Sequence, residues 1–94
     1  MKKFNIQLTQ SAVDDLNDIS EKQRAKIIAS IRKITSNPYA DKAHIKKLKG
    51  IRPPLYRIRS GDHRVLYRVQ ENAIYIMRVL DRKELERIIK RLKL

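Results

Sequence analysis

The stretch LYRIRSGDHRVLYRV, residues 55–69, alternates apolar and basic side chains on both sides of a Ser-Gly-Asp turn. That alternation leaves the segment few options other than a β-hairpin. Successive side chains of a strand point to opposite faces. Tyr56 and Ile58 therefore share a face with Val65, Tyr67 and Val69, while Arg57 and Arg59 share the other with Leu55, Arg64, Leu66 and Arg68. A lone hairpin is marginal in water, so the apolar set is expected against the rest of the fold. The arginines are then expected on the outward side.

The rest of the chain supplies the covering layer. Phe4, Ile6 and Leu8 alternate with polar residues and read as a first strand. Ser11 is expected to cap a helix carrying Ala12, Leu16 and Ile19. Ser20 with Gln23 three residues on forms a capping box opening a second helix, whose Ile27, Ile28, Ile31 and Ile34 follow helical spacing. Asn37-Pro38 ends it, because the residue before proline avoids the helical region. Residues 39–54, with Gly50, Pro53 and Pro54, read mostly as loop. Strands are expected over 55–59, 63–70 and 73–80, with Asn72 tolerating a left-handed conformation in the second turn. Asp81 and Glu84 then cap a last helix with an apolar stripe of Leu85, Ile88, Ile89 and Leu92. The order β-α-α-β-β-β-α specifies an α+β fold, one domain over 1–94, with the helical hairpin on one face of a small sheet.

Charge narrows the function. The chain of 94 residues carries a net charge of +13. Between residues 42 and 68 stand nine Lys or Arg against one acid, Asp62, whereas both flanks lie closer to balance. Like charges opposite one another on neighbouring strands are destabilising. An arrangement that costs stability and has no counterion in its own segment points to an anionic partner, nucleic acid first. Arginine suits phosphate through its planar, permanently protonated fork. Two His 19 residues apart and no Cys offer no zinc constellation, and only Gly50 and Gly61 are available for a phosphate loop, so neither metal nor cofactor is expected. Tyr39 is the one loop aromatic placed to stack on RNA. No apolar run reaches bilayer length and the basic residues do not form one amphipathic helix, so no membrane role is expected and a cytoplasmic location is.

The segments KLKG, LYRIRSGDHRVLYRV and IYIMRVLDRKELERII together resemble the RelE/ParE superfamily of type II toxin–antitoxin toxins. The likeness covers the whole element order and is most specific over residues 46–82. It implies a small antiparallel sheet with an N-terminal helical hairpin on one face. For the RelE branch it also implies a ribosome-dependent mRNA endonuclease, in which the 2′-hydroxyl attacks the adjacent phosphate. Carried over by position, the catalytic cations fall on Arg57, Arg59, Arg64 and Arg82. Lys46, Lys47, Lys49, Arg52 and Arg68 are the accompanying RNA-binding residues. The implied partners are the ribosome, mRNA and a cognate RelB-like antitoxin, the last with an amphipathic acidic segment.

The chain departs from the family pattern in two places. His63 stands where many members have Tyr, and no Tyr follows Tyr75. Arginine cannot act as a general base, so His63, His44, Lys46, Lys47, Lys49 and Asp81 remain open as proton acceptors. His63 alternates onto the core face, and Asp81 doubles as a helix cap. A ParE-type gyrase inhibitor and an inactive relative that only binds its antitoxin are the alternatives.

Overall fold

The structure is a computed structural model that describes residues 3–39 and 45–92. Strand β1 (Asn5–Leu8) leads into helices α1 (Gln10–Asn17) and α2 (Glu21–Ile34). Strands β2 (Ile45–Lys47), β3 (Tyr56–Ser60), β4 (His63–Gln70) and β5 (Ala73–Asp81) follow, and helix α3 (Arg82–Leu92) ends the described chain. The expected order holds, with β2 added inside the segment read as mostly loop. Its three residues carry a single apolar side chain, too little pattern to announce a strand.

The five strands form one sheet in the order β1-β5-β4-β3-β2. β1 joins β5 in parallel and the other pairs are antiparallel, so the expected antiparallel meander carries one parallel edge strand. Two turn details differ from expectation. The left-handed residue of the second turn is Glu71, at φ 56°; Asn72 is held instead by its carbonyl, which accepts the Asn5 N–H at 2.8 Å. The cap of α1 is Thr9, not Ser11. Its hydroxyl accepts the Ala12 N–H at 3.1 Å and donates to the Met77 carbonyl at 2.8 Å, so a tertiary bond decides between two equivalent hydroxyls. Ser20 caps α2 as expected, accepting from Gln23 N–H at 3.2 Å. Arg24 donates to the carbonyls of Leu16 and Ile19 at the end of α1, which answers acceptors a helix terminus leaves open.

One face of the sheet carries the main core. Ala12, Leu16, Ile27, Ile31 and Ile34 of the helices pack on Ile58, Val65, Tyr67, Ile74, Ile76 and Val79. Tyr67 is wholly buried, stacks on Tyr56 with ring centroids 5.6 Å apart, and donates its hydroxyl to the Pro38 carbonyl at 2.8 Å. Burial pushes that phenol's pKa up and keeps it a donor. Tyr39, half exposed, packs edge-on against Phe4 and Tyr56 on this side, away from the arginines.

The second face is not purely cationic. Leu48, Ile51, Leu55, Leu66, Leu80 and Leu85 form a second buried cluster, with Met77, Ile88 and Ile89 packed against it. The stripe of α3 is thereby core; the Leu92 side chain lies outside the described residues. A register shift explains how β5 serves both clusters. Leu66 faces Arg78 but Tyr67 faces Ile76, leaving Met77 as an extra residue. Such a bulge reverses the alternation beyond it, placing Val79 with Ile74 and Ile76, and Leu80 on the opposite side.

β1 stops at Leu8, and α1 completes the exposed margin of β5 beyond it. Thr9 N–H donates to the Ile76 carbonyl at 3.1 Å, and Val79 N–H donates to Asp15 Oδ2 at 2.9 Å. The Arg78 guanidinium grips the same carboxylate at 2.8 and 3.0 Å, which raises its already high pKa.

Candidate functional site

The hairpin register builds a cationic floor on the second face. Lys46 of β2 lies opposite Arg57 of β3, and Arg59 of β3 lies directly opposite Arg64 of β4. Arg82 enters at the first residue of α3, because Asp81 ends β5 and caps that helix by accepting the Glu84 N–H at 2.8 Å. Leu48, Leu85 and Ile89, all drawn from the second cluster, wall the space. The result is an open cleft of about 480 Å³ lined by Lys46, Arg57, Arg59, Arg64 and Arg82, with Glu86 at its margin. All four arginines expected to carry catalysis therefore line one cleft.

Mutual repulsion marks the cluster. The Arg57 guanidinium is lowered from its ordinary pKa by partial burial, then by Arg59 and Arg64. Arg64 is lowered by burial, then by Arg59 and Arg82, with Asp62 acting in the opposite sense. Both remain protonated at any workable pH. Arg64 is held in place by Nη1, which donates to the carbonyls of Gly61 and His63 at 3.0 Å each. The Arg82–Glu86 pair is loose, 3.6 Å between two largely exposed side chains, and such pairs are worth little in water. Arg82 thus contrasts with Arg78, which is bound bidentately by Asp15.

The RNA-binding set divides. Lys46 belongs to the cleft, and Lys49 shares a small hollow with it beside Leu48 and Ile89. Lys47 alternates to the other face, opposite Tyr56; it meets Lys49 and Arg52 around a neighbouring hollow near Gly50 and Pro54. Arg68 does not reach the arginine cleft. It lies with Arg52 and Arg78 in a separate hollow bounded by Leu55 and Leu66, and its Nε is buried with no hydrogen-bond partner. The intervening leucines of the second cluster separate the two.

The proton-acceptor candidates also sort by face. His63 and Asp81 are register partners at one end of β4 and β5, on the face opposite the arginine cleft because they alternate with Val65 and Val79. The Asp81 carboxyl is held below its usual range by hydrogen bonds at the start of α3, the Glu84 N–H foremost. His44, like Lys42, lies outside the described residues. Lys46 lines the cleft. Glu86 was not singled out by the sequence reading, which counted it only in the balanced C-terminal flank. Its signal was the four-residue spacing from Arg82 on an amphipathic helix. Among the described residues no group of three His, Asp or Glu side chains is arranged to hold a metal, and no helix is long and apolar enough to cross a membrane.

Comparison with known proteins agrees with this layout. A family model described as the ParE toxin of the type II toxin–antitoxin system parDE matches residues 6–86. The RelE1 protein of Methanocaldococcus jannaschii is 34% identical over 84 residues, covering 87% of this chain and 92% of that protein. In three dimensions the chain is similar to the RelB–RelE antitoxin–toxin complex of Methanococcus jannaschii. The match has 28% identity and a TM-score of 0.68, over 86% of this chain and 95% of the matched one. Escherichia coli RelE, in a doubly arginine-substituted form, gives a TM-score of 0.75 at 18% identity, over 97% of this chain and 94% of that one. That last likeness is one of fold. With the family model spanning most of the chain and a relative above 30% identity, this protein belongs to the RelE/ParE superfamily, the toxins of type II toxin–antitoxin systems.

Proposed function

We propose that this toxin is a ribosome-dependent mRNA endonuclease, restrained by a RelB-like antitoxin. One observation carries the reading: Lys46, Arg57, Arg59, Arg64 and Arg82 line a single open cleft, with Arg59 directly opposite Arg64. A message presents a phosphodiester to such a cleft. When the 2′-hydroxyl attacks the adjacent phosphorus, negative charge builds on the phosphoryl oxygens as the bond to the 5′-oxygen breaks. The products are a 2′,3′-cyclic phosphate and a free 5′-hydroxyl. Guanidiniums already fixed around the phosphate stabilise that charge more than the ground state, which is what accelerates the step. Lys47, Lys49 and Arg52 would hold the strand on one side of the cleft, and Arg68 further off.

An antitoxin partner is supported by the likeness to a RelB–RelE complex and by the +13 net charge, which favours an acidic segment electrostatically. A gyrase inhibitor would give no reason for four guanidiniums to converge on one cleft.

The deciding experiment adds purified protein to a translating extract and maps new 5′ ends. Cuts inside reading frames, with naked RNA left largely intact, are the expected result. Equal cutting of naked RNA would end the ribosome-dependent reading. Intact messages together with inhibited gyrase supercoiling would transfer the protein to the gyrase class.

A further inference from the structure

The nuclease reading leaves its two proton transfers unassigned, since a guanidinium neither gains nor readily gives up a proton. Among the described residues lining the cleft, only two side chains can do so: the Glu86 carboxylate, which only accepts, and the Lys46 ammonium, which donates. The other candidates are placed elsewhere. His63 and Asp81 sit on the opposite face, and the Asp81 carboxylate is committed to the Glu84 N–H. Glu86 lies one helical turn beyond Arg82, 3.6 Å from its Nε, on a helix anchored by the buried Leu85. That contact is loose, so the carboxylate can turn to a hydroxyl presented among the arginines.

We propose that Glu86 takes the proton from the attacking 2′-hydroxyl and that Lys46 supplies one to the departing 5′-oxygen. The inference rests on the nuclease reading. The 2′-oxygen forms its bond to phosphorus while its proton passes to a Glu86 carboxylate oxygen. The bond from phosphorus to the 5′-oxygen breaks, and that oxygen leaves as a hydroxyl with a proton from the Lys46 ammonium. Exchange with water restores both groups.

The sign of the charge makes this testable. Among the described residues, Glu86 is the one negative side chain lining a cleft meant for an anion. If it acted only through its charge, neutralising it would strengthen RNA binding and leave cleavage equal or faster. If it is the base, neutralising it slows cleavage although binding is as tight or tighter.

The experiment uses ribosomes loaded with a short synthetic message under single-turnover conditions. E86Q is expected to lower the cleavage rate by about 100-fold or more, with message affinity and thermal midpoint unchanged or raised, and E86D to keep part of the activity. For Lys46, a message with sulfur in place of the bridging 5′-oxygen leaves without needing a proton. It should restore cleavage by K46Q but not by E86Q. An E86Q protein that cuts at the wild-type rate or faster overturns the base assignment, and K46Q equally slow on both messages overturns the donor. A wild-type protein that cuts neither message overturns the nuclease reading itself, a distinct result.

Discussion

Arg59 and Arg64 face each other across β3 and β4 with like charge, so each lowers the stability of the hairpin that holds it. Residues kept at such a cost trade stability for function. Arg59→Gln is therefore expected to raise unfolding free energy by about 0.5 kcal/mol while reducing message cleavage, measured by denaturant melts beside the extract assay. Arg64→Ala should lower cleavage at least about 100-fold, because it removes the guanidinium fixed on the Gly61 and His63 carbonyls; wild-type cleavage would dismiss the site. Asp15 is the structural counterpart. Its carboxylate serves Arg78 and the Val79 N–H together, and Asp15→Ala should cost about 2–3 kcal/mol in a urea melt with the cleft residues untouched. The sequence shows Arg59 and Arg64 on one face of the hairpin by alternation; that they are direct partners follows from the closer turn, in which Ser60 pairs with His63. It does not show the Asp15–Arg78 bond, which joins positions 63 apart through the margin of a sheet.

Among the elements, α3 ties fold to site. Leu85 fills the second cluster and walls the cleft, so Leu85→Ala is expected to cost about 2–3 kcal/mol and to loosen Arg82 and Glu86 with it. The cap of α3 gives a pH dependence of definite sign. Asp81 is held below its ordinary pKa in the fold; its contribution is complete above the unfolded value, near about 4, and is lost as pH falls through the lower folded value. Far-UV helicity of the wild type should exceed that of Asp81→Ala at neutral pH, and the gap should close in acid. The hairpin β3–β4 was legible because its period of two is unbroken. β5 was not fully so: with Val79 and Leu80 both buried, its pattern cannot say which side each takes. β2 was illegible for want of length, and α3 was readable as amphipathic but not as to which face of the sheet it covers.

At the scale of the whole molecule, the positive charge divides among the cleft, the hollow near Gly50 and the pocket of Arg52 and Arg68. Only the first is positioned for chemistry in the proposed reaction. Arg52→Gln and Arg68→Gln should each weaken binding of single-stranded RNA and lower its log–log salt slope by up to about 0.7, without slowing cleavage of message already bound. The segregation of charge along the chain was readable from composition. Its division in space was not, because the leucines that separate Arg68 from Arg64 come from a loop, two strands and a helix distant in sequence. All of this geometry turns on Met77, the residue that β5 has in excess over β4. Were the bulge ironed out, with Met77 paired to Leu66, every residue downstream in the strand would turn over: Val79 would leave the helical layer, Leu80 would enter it, and Arg82 would start α3 from the wrong side. A chain so paired would keep all four of these arginines and have no cleft to gather them.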